Sequence, residues 1–482
     1  MALKTKDDYL KSLGKLGTKV FLFGDQIKDW ISHPVIRPSI NSIAMTYELA
    51  HEVDYRDLFT ATSHLTGKVI NRFTHIQQSP DDLKKKVKML RVMGQKTASC
   101  FQRCAGLDAL NTMSAVTYEV DKAMGTKYHQ RFNTFLEYMQ GEDLVCSAAM
   151  TDPKGDRSLS PSKQKRPDQY LRIVKESKNG IVVRGAKAHI TGAVNSHEAL
   201  VMPTRAMGAE EKDYAISFAV PNDTKGMFFI YGRQPSDTRR LETGSMDIGN
   251  INFGGQEALI IFDNVFVPCE RVFLKGEYQF CRRLVEQFAA FHRASYGGCK
   301  SGVADVLVGA ATLIAEIQGT RTASHVRDKL VEMTHLTETL YAAGIASSAE
   351  GHELPSGSYA VNSLLANVCK LHVTRLPFEI VRLAQDVAGG ILGTLPSERE
   401  FKHPEVGRYV QKYLEGVADI PSEVRFRIIR LIESMTLGTG AVCLLVESIH
   451  GAGSPQTQRI IIERETDWEF KKKLAKRIAG LD

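Results

Sequence analysis

Apolar residues recur at intervals of three and four through the first part of the chain, a period typical of amphipathic helices. The clearest case begins at Ser79, an N-cap residue followed by Pro80 at the first helical position and by two acids. Gly94 is expected to bend or end this helix before Cys100. Residues 1–145 are therefore predicted to form an N-terminal helical domain. The apolar face of the predicted helix consists of Leu83, Val87, Leu90 and Met93.

Short β-rich runs replace this pattern between residues 146 and 282. Tyr170–Val174 and Ile181–Val183 flank Lys178-Asn179-Gly180, and an Asn-Gly pair between two such runs predicts a hairpin. We interpret residues 146–282 as a small antiparallel β domain. Three further runs continue the pattern: Tyr214–Val220, Met227–Tyr231 and Ala258–Phe266.

The helical period returns from about residue 283. Pro377 is expected to kink one of the predicted helices, and Gly389-Gly390 and residues 451–455 are expected to break the pattern. The sequence thus predicts an α+β protein whose residues 283–482 form a C-terminal helical bundle. The predicted helices are Ser295–Glu316, His325–Ala349, Ser358–Gly389 and Ser422–Thr439.

The composition is that of an ordinary globular protein: of 482 residues, 43% are hydrophobic and 24% are charged, with a net charge of +7. No block of Lys and Arg stands beside interleaved aromatics, so we expect no nucleic-acid partner. The segment Met1–Asp8 lacks an apolar leader, and the apolar runs are too short to span a bilayer. We therefore expect no membrane association. The eight scattered cysteines favour a reducing cytoplasm over a disulfide framework.

Candidate metal ligands occur in two short stretches, which contain Cys100 and Cys104 in one and His292 and Cys299 in the other. Thiols and an imidazole suit zinc or an iron–sulfur cluster better than a hard ion such as Mg²⁺. On helices, spacings of four and seven place each pair on one face. Seven helical residues rise about 10.5 Å, whereas two ligands of one zinc lie roughly 3.5 Å apart. This mismatch favours a cluster without deciding it, because Gly297-Gly298 can distort the helix.

An alternative interpretation treats Cys100 and Cys104 as buried, inert residues, because only the fold can bring them to His292 and Cys299. The remaining cysteines occur in apolar or strand-like contexts and are interpreted as packing residues. They are Cys146, Cys269, Cys281, Cys369 and Cys443.

Two segments of the β region resemble the flavin-binding motifs of the acyl-CoA dehydrogenase fold. Met150–Arg157 is a polar turn in which Asp152 stands where that fold carries another acid, and in Lys187–Gly192 His189 stands where it carries a tryptophan. An ordinary turn and an ordinary strand end are the alternative interpretation. The candidate flavin ligands are Met150, Thr151, Asp152, Lys154, Asp156, Arg157, Lys187, His189, Ile190 and Thr191.

Over essentially its whole length the chain resembles the 4-hydroxybutyryl-CoA dehydratase family, within the 4-hydroxyphenylacetate 3-hydroxylase and acyl-CoA dehydrogenase-like superfamily. The related flavin monooxygenases lack the cluster ligands. The segment 403–420 is shorter than the corresponding segment expected in some members of the family, and this difference affects only the local loop geometry. The segments that carry the resemblance are Val35–Asn41, Gly94–Cys104, Met150–Arg157, His292–Lys300 and His450–Gln456.

The resemblance implies the site, the cofactors and the assembly. Cys100, Cys104, His292 and Cys299 match the family's [4Fe–4S] ligands. The family is homotetrameric, a dimer of dimers with FAD held between subunits, and Asp386, Gly389 and Gly390 match the segment offered to a neighbour's flavin. Residues matching positions around the substrate are Glu257, Tyr296, Lys300 and Glu447, with His292 a ligand that can also act as a base or be purely structural.

The implied reaction is the dehydration of 4-hydroxybutyryl-CoA to crotonyl-CoA, with vinylacetyl-CoA Δ-isomerase activity. The thioester acidifies the C2 hydrogens but not the C3 hydrogen that must be lost, so acid–base chemistry alone is insufficient. The resemblance therefore implies a flavin radical mechanism, with FAD as a transient electron sink and the cluster as a Lewis acid. Two alternatives are a flavin-dependent aromatic monooxygenase without iron and a zinc-stabilised helical scaffold without catalysis.

Overall fold

The computed structural model describes residues 3–481. Most of the chain is helical, and the longest helix, α7, runs through the centre of the helical region. The α-helices are α1 Lys6–Leu13, α2 Arg37–His51, α3 Arg56–Phe59, α4 Pro80–Thr97, α5 Arg103–Met124, α6 Tyr128–Gly141, α7 Cys281–Ile317, α8 Ser324–Ala349, α9 Ser363–Val373, α10 Leu376–Ala388, α11 Glu398–Phe401, α12 Gly407–Tyr413, α13 Ser422–Thr436, α14 Glu447–His450, α15 Pro455–Glu465 and α16 Trp468–Ile478.

The strands form two main sheets and two short two-stranded pairs. One main sheet has the strand order β2-β1-β10-β11-β7-β6, and the other has the order β12-β9-β8-β5. The strands are β1 Val20–Leu22, β2 Asp25–Ile27, β3 Thr60–Thr62, β4 Val69–Asn71, β5 Cys146–Ala149, β6 Arg172–Ser177, β7 Gly180–Thr191, β8 Glu198–Val201, β9 Ile216–Pro221, β10 Met227–Tyr231, β11 Glu257–Pro268, β12 Val272–Lys275, β13 His352–Glu353 and β14 Tyr359–Ala360.

The predicted hairpin forms as expected, because β6 pairs antiparallel with β7 and Ser177 lies opposite Gly180. The prediction of a purely antiparallel region is wrong in two places. Strand β5 pairs parallel with β8, and β1 pairs parallel with β10. Strand β1 also comes from the part of the chain predicted as helical, because its three residues are too few to reveal a strand period.

Helix α7 is continuous, so Gly297 and Gly298 do not distort it as the sequence allowed. They permit close packing of helices instead. A Cβ on Gly297 would lie 2.6 Å from the Cα of Gly344 in α8, and a Cβ on Gly298 would overlap the backbone of Val87 in α4. The absence of side chains at these positions therefore lets three helices approach backbone to backbone.

Two other helix predictions need correction. The segment predicted as one kinked helix forms two helices, α9 and α10. Pro377 lies in the first turn of α10, where backbone N–H groups have no partner within the helix, so the N–H that proline lacks is not missed. Gly94 does not end α4, which runs to Thr97 and stops at Ala98, whose φ is +48°. A Cβ on Gly94 would lie 2.7 Å from the carbonyl oxygen of Cys299, so this glycine also serves helix packing.

The structure as a whole is a mixed α/β fold with a helical C-terminal region. The division at residues 145/146 and 282/283 stays a prediction. Within residues 3–481, one helix, Tyr278–Ile317, is long and apolar enough to cross a membrane, and 61% of its most apolar stretch is buried inside the protein.

Candidate active site

Residues from the α4–α5 loop, α5 and α7 meet where these elements pack together. Cys104 lies in the first turn of α5, and His292 and Cys299 lie two turns apart on α7, as predicted. Cys100 is not on a helix, which corrects the expectation that it shares a helical face with Cys104. The loop turns at Gln102, whose φ is +69°, immediately before α5 begins.

The thiols of Cys100, Cys104 and Cys299 influence one another electrostatically. Burial raises the pKa of Cys104 well above its usual range, and the negative charge of Cys299 raises it further. Burial likewise raises the pKa of Cys299 to about 12. A hydrogen bond with Cys443, and then burial, raise the pKa of Cys100. Each thiol therefore keeps its proton unless a cation lies among them, and a soft metal group is the cation that three thiols favour.

The donors are spread more widely than the ligands of one ion. Among residues 3–481, no three side chains of His, Cys, Asp or Glu lie close enough together to hold a single metal ion. A cluster distributes its ligands over several iron atoms. The donor chemistry and this spacing together fit a polynuclear iron–sulfur group better than a single zinc ion.

A buried carboxylate supports the candidate ligand His292. Asp108 lies one turn after Cys104 on α5 and accepts hydrogen bonds from His292 Nδ1 at 2.8 Å and Ser295 Oγ at 2.9 Å. Lys86 Nζ donates to the other carboxylate oxygen at 2.9 Å. Burial raises the pKa of Asp108, but the positive charge of Lys86 and the bond from His292 outweigh it and lower the pKa below its usual value.

An ion pair joins two of the predicted substrate residues. Lys300 Nζ lies 2.8 Å from Glu447 Oε2 and also donates to the carbonyl oxygen of Cys443 at 2.5 Å. The Lys300 side chain is 2% exposed and that of Glu447 is 16% exposed. The carboxylate of Glu447 thus faces the site with a buried cation beside it.

The second predicted carboxylate, Glu257, lies at the start of β11. Burial raises the pKa of Glu257 well above its usual range, and the negative charge of Glu447 raises it further. The Thr191 hydroxyl donates to Glu257 Oε1 at 2.5 Å. The two carboxylates therefore differ in their surroundings: Glu447 has a cationic partner, and Glu257 has a neutral one.

Tyr296 lies between two buried lysines. Lys370 Nζ is 3.8 Å and Lys300 Nζ is 5.1 Å from the centre of the Tyr296 ring, so both amino groups lie against its π system. Burial raises the pKa of the Tyr296 hydroxyl well above its usual range. The hydroxyl packs against Gly451, where an added Cβ would overlap it. Tyr296 therefore remains a neutral phenol in a fixed position.

The two predicted flavin segments lie side by side. The Ala188 N–H donates to the Thr151 carbonyl oxygen at 2.8 Å, and Lys187 Nζ donates to the carbonyl oxygens of Met150 and Met202 at 2.9 Å. Lys187 also lies 2.9 Å from Asp152, and both side chains are almost fully buried. The buried Asp152–Lys187 ion pair thus joins the turn at Met150–Arg157 to strand β7.

Other members of the flavin set face outward. His189 is exposed with a φ of +55°, and burial together with the charges of Lys154 and His450 lowers its pKa. Asp156 accepts hydrogen bonds from Ser158 within its own turn. Of the candidate flavin ligands, His189, Asp156 and Arg157 are exposed, so the outward surface of these segments carries groups of both charges.

The third predicted flavin segment lies in the helical region. Asp386 near the end of α10 pairs with Lys329 of α8 at 2.7 Å, and Gly389 ends α10 with a φ of +80°. No hydrogen bond or ion pair within residues 3–481 connects Asp386, Gly389 or Gly390 to the segments 150–157 and 187–191.

Sequence reasoning missed several residues of this site. Asp108, Lys86 and Lys370 are buried and charged, and Cys443 was interpreted as a packing residue although it contacts both Cys100 and Lys300. The only sequence signal for Asp108 is its position four residues after Cys104, which is one helical turn.

The chain matches the description "4-hydroxyphenylacetate 3-hydroxylase N terminal" over residues 5–274 and "4-hydroxyphenylacetate 3-hydroxylase C terminal" over residues 281–480. The protein therefore belongs to the 4-hydroxyphenylacetate 3-hydroxylase family, as the resemblance predicted.

Within this family, the chain is 56% identical to the 4-hydroxybutyryl-CoA dehydratase/vinylacetyl-CoA-Delta-isomerase of Clostridium aminobutyricum, over 99% of this chain and 100% of the relative. The solved structure of an oxygen-tolerant archaeal 4-hydroxybutyryl-CoA dehydratase from N. maritimus superposes with a TM-score of 0.97 at 52% identity, covering 100% of this chain and 96% of that one. The oxygenase component of 4-hydroxyphenylacetate 3-monooxygenase, solved with FAD, superposes with a TM-score of 0.85 at 24% identity, covering 98% of each chain. The last comparison shows a shared fold.

Proposed function

We propose that the protein dehydrates 4-hydroxybutyryl-CoA to crotonyl-CoA and isomerises vinylacetyl-CoA to the same product. The observation that carries the proposal is the convergence of Cys100, Cys104, Cys299 and the Asp108-supported His292 beside Glu447. The relatives at 56% and 52% identity, both named as 4-hydroxybutyryl-CoA dehydratases, support it. The monooxygenase structure shares only 24% identity, which favours the dehydratase over the monooxygenase alternative.

FAD and a [4Fe–4S] cluster are the proposed cofactors. Cys100, Cys104, His292 and Cys299 would hold the cluster, and the surface around Thr151, His189 and Thr191 would hold FAD. When bound, the two groups would supply a one-electron acceptor and a Lewis acid. The remaining members of the proposed flavin site are Met150, Asp152, Lys154, Asp156, Arg157, Lys187 and Ile190, with Asp386, Gly389 and Gly390 offered to a neighbouring subunit.

Glu447 is the proposed base for the C2 proton. The thioester makes this proton the most acidic one in the substrate, and the carboxylate of Glu447 lies 2.8 Å from the buried amino group of Lys300. Glu257 suits the opposite role, because burial and then the negative charge of Glu447 raise its pKa and so favour its protonated form. It can therefore donate its proton to the departing C4 hydroxyl, which leaves as water.

His292 is the proposed base at C3. Its Nδ1–H donates a hydrogen bond to Asp108, so the lone pair of Nε2 is the one available to a metal or a proton. In the complete reaction C2 and C3 each lose one proton, the hydroxyl leaves C4, and one proton returns to C4. Isomerisation of vinylacetyl-CoA needs only loss of a C2 proton and gain of a C4 proton, and the proton that Glu447 takes from C2 is the one proposed to return to C4.

The neutral phenol of Tyr296 is proposed to donate a hydrogen bond to the substrate hydroxyl. Lys300 and Lys370 lie against its ring, and Gly451 packs against its hydroxyl, so the donor is held in place before substrate arrives. Lys300 additionally stabilises negative charge beside Cys299.

We further propose a homotetramer, a dimer of dimers, in a reducing cytoplasm, with a CoA thioester as substrate. Helix α16 supports assembly: Phe470, Leu474 and Ile478 share one face at four-residue spacing and are 56%, 40% and 81% exposed. Such an apolar face in contact with water favours association with another subunit.

Cofactor analysis of protein purified without air tests the proposal. About four iron, four sulfide and one FAD per chain are expected, with a broad iron–sulfur absorption beneath the flavin bands. Flavin without iron would support the aromatic monooxygenase instead, and zinc without flavin would support the non-catalytic scaffold. Either result would overturn the dehydratase.

A further inference from the structure

Asp108 is the most deeply buried carboxylate near the candidate metal ligands, and in the proposed reaction it serves only as the hydrogen-bond acceptor of His292. Its side chain is 1% exposed. A lone buried carboxylate is costly, so its retention requires compensating partners. Lys86, whose side chain is also 1% exposed, supplies the charge at 2.9 Å.

The hydrogen bonds of Asp108 determine the tautomer of His292. A carboxylate that accepts from Lys86 can only accept, so His292 Nδ1 must carry the proton of their 2.8 Å bond. Ser295 Oγ donates to the same carboxylate oxygen at 2.9 Å and helps to orient it. In a neutral imidazole, the Nε2 lone pair is then free to bind a metal.

Packing fixes the plane of the same ring. The Phe288 ring stacks on His292 with centroids 5.4 Å apart, and Tyr296 approaches edge-on at 5.0 Å. The imidazole is thus restrained by two rings and by one hydrogen bond at Nδ1. Among residues 3–481, the hydrogen bond to Asp108 is what distinguishes Nδ1 from Nε2.

Helix α5 supplies both a candidate cluster ligand and this carboxylate. Cys104 and Asp108 are one turn apart, so a shift of α5 would move a thiol and the support of His292 together. Helix α7 likewise carries both kinds of residue beyond His292. Ser295, one turn on, donates to Asp108, and Cys299, two turns on, is a candidate ligand.

We propose that Asp108 is a positioning residue that fixes the tautomer and orientation of His292 and thereby sets how firmly the imidazole holds the iron–sulfur cluster. This inference rests on the proposed function, because it needs the cluster. Carboxylates that accept from a ligating histidine typically alter metal affinity by about 10–100-fold when removed. The competing explanation is that Asp108 only neutralises Lys86 and stabilises the helix packing.

The test measures release of iron to a chelator from anaerobic holoenzyme, together with the reduction potential of the cluster. Asp108→Asn should release iron at least about tenfold faster than the unmodified protein and shift the potential. The double variant Lys86→Met/Asp108→Asn, which leaves no unpaired buried cation, should behave the same way. The double variant therefore still tests the role of Asp108 if Asp108→Asn alone does not fold.

Two further variants separate positioning from stability. Asp143→Asn removes a different buried pair, Asp143–Arg103 at 3.1 Å, and should lower stability without changing iron release or potential. Ser295→Ala removes one of the bonds to Asp108 and should give a smaller acceleration of release. Unchanged release and potential in the double variant would overturn the inference.

The outcomes also distinguish this inference from the proposed function. If the unmodified protein holds no iron, the dehydratase proposal fails. If it holds iron and forms crotonyl-CoA while the Asp108 variants match it in release and potential, only the positioning role fails.

Discussion

Lys300 and Glu447 form an ion pair of 2.8 Å at the edge of the candidate active site, and Lys300 is adjacent to Cys299 in the chain. This pair distinguishes Glu447 from Glu257, whose side chain accepts a hydrogen bond from the Thr191 hydroxyl. Two carboxylates in one site thus have different environments, a common arrangement where one group must accept and another must donate a proton.

Replacing Glu447 by Gln should abolish the C2 base while keeping the shape of the side chain. Both dehydration and vinylacetyl-CoA isomerisation should fall by about 10²–10⁴-fold, because each begins with loss of the C2 proton. Rates of crotonyl-CoA formation from each substrate measure this. Glu338→Gln, at an exposed residue paired with Arg91, is the matched control and should leave both rates unchanged. Loss of dehydration alone would contradict the assignment to C2.

Gly451→Ala should disturb Tyr296. The added Cβ would overlap the Tyr296 hydroxyl and lie 2.8 Å from the Glu447 carbonyl oxygen, so either the phenol or the loop must move. Dehydration should fall by about 10–100-fold, since a misplacement near 1 Å has such an effect. Gly309→Ala is the control. Gly309 lies on the same helix as Tyr296, and a Cβ added there would lie in open space.

The double variant Tyr296→Phe/Gly451→Ala checks the cause. Without the hydroxyl much of the overlap disappears, so this protein should be no less active than Tyr296→Phe alone. A further additive loss in the double variant would show that Gly451 acts independently of Tyr296.

Cysteine variants should separate ligands from neighbours. Cys299→Ser should lose most of its iron and sulfide, because a thiolate ligand is removed. Cys443→Ser should retain them, because Cys443 matches no family ligand although it hydrogen-bonds with Cys100. Iron and sulfide analysis of both anaerobic proteins provides the comparison. Equal iron loss in the two variants would mean that Cys443 is a ligand.

Stability should fall in mild acid because of His197. Burial lowers the pKa of His197 to about 3, while Val145 N–H donates to its Nδ1 at 3.1 Å. The contribution of neutral His197 to the free energy of unfolding is complete above the ordinary pKa of 6.5. It is lost as the pH falls from 6.5 toward 3, because between these values only the unfolded chain binds a proton at His197. By pH 5 this group alone should cost about 2 kcal/mol.

Denaturant titrations of the anaerobic holoenzyme between pH 7 and 5 measure this loss. His197→Asn keeps an acceptor near the Val145 N–H but does not titrate, so its stability should decline less steeply. The same slope in both proteins would exclude His197 as the cause.

The apolar face of α16 should hold subunits together. Leu474→Glu/Ile478→Glu places charges on that face and should shift the assembly to smaller species in light scattering after gel filtration. Lys472→Glu, at an exposed residue beside Glu469, is the control and should leave the mass unchanged. A tetramer that tolerates the double variant would place its interfaces elsewhere.

Local sequence signals predicted the parts of the fold that depend on local structure. The N-cap at Ser79 and the Asn179-Gly180 hairpin form as predicted, because capping and turn geometry involve only neighbouring residues. His292 and Cys299 share a helix for the same reason. Strand β1 was missed, because its pairing with β10 joins residues about 200 positions apart.

The support for the candidate site could not be read from the sequence. Lys86, Asp108 and Lys370 are charged residues, and a sequence gives no indication that they are buried together in the packed interior. Cys100 was expected on a helix, yet it lies in the loop between α4 and α5. Ala98, with a positive φ, ends α4, and Gln102, also with a positive φ, precedes α5. Such left-handed positions in non-glycine residues depend on the surrounding structure rather than on local propensity.

The most direct test of the proposed dehydratase activity is incubation of the anaerobic holoenzyme with 4-hydroxybutyryl-CoA and measurement of crotonyl-CoA. Steady formation of crotonyl-CoA is expected with no net consumption of an oxidant, because the dehydration involves no net redox change. Protein that contains its full iron, sulfide and FAD but forms no crotonyl-CoA would contradict the proposed activity.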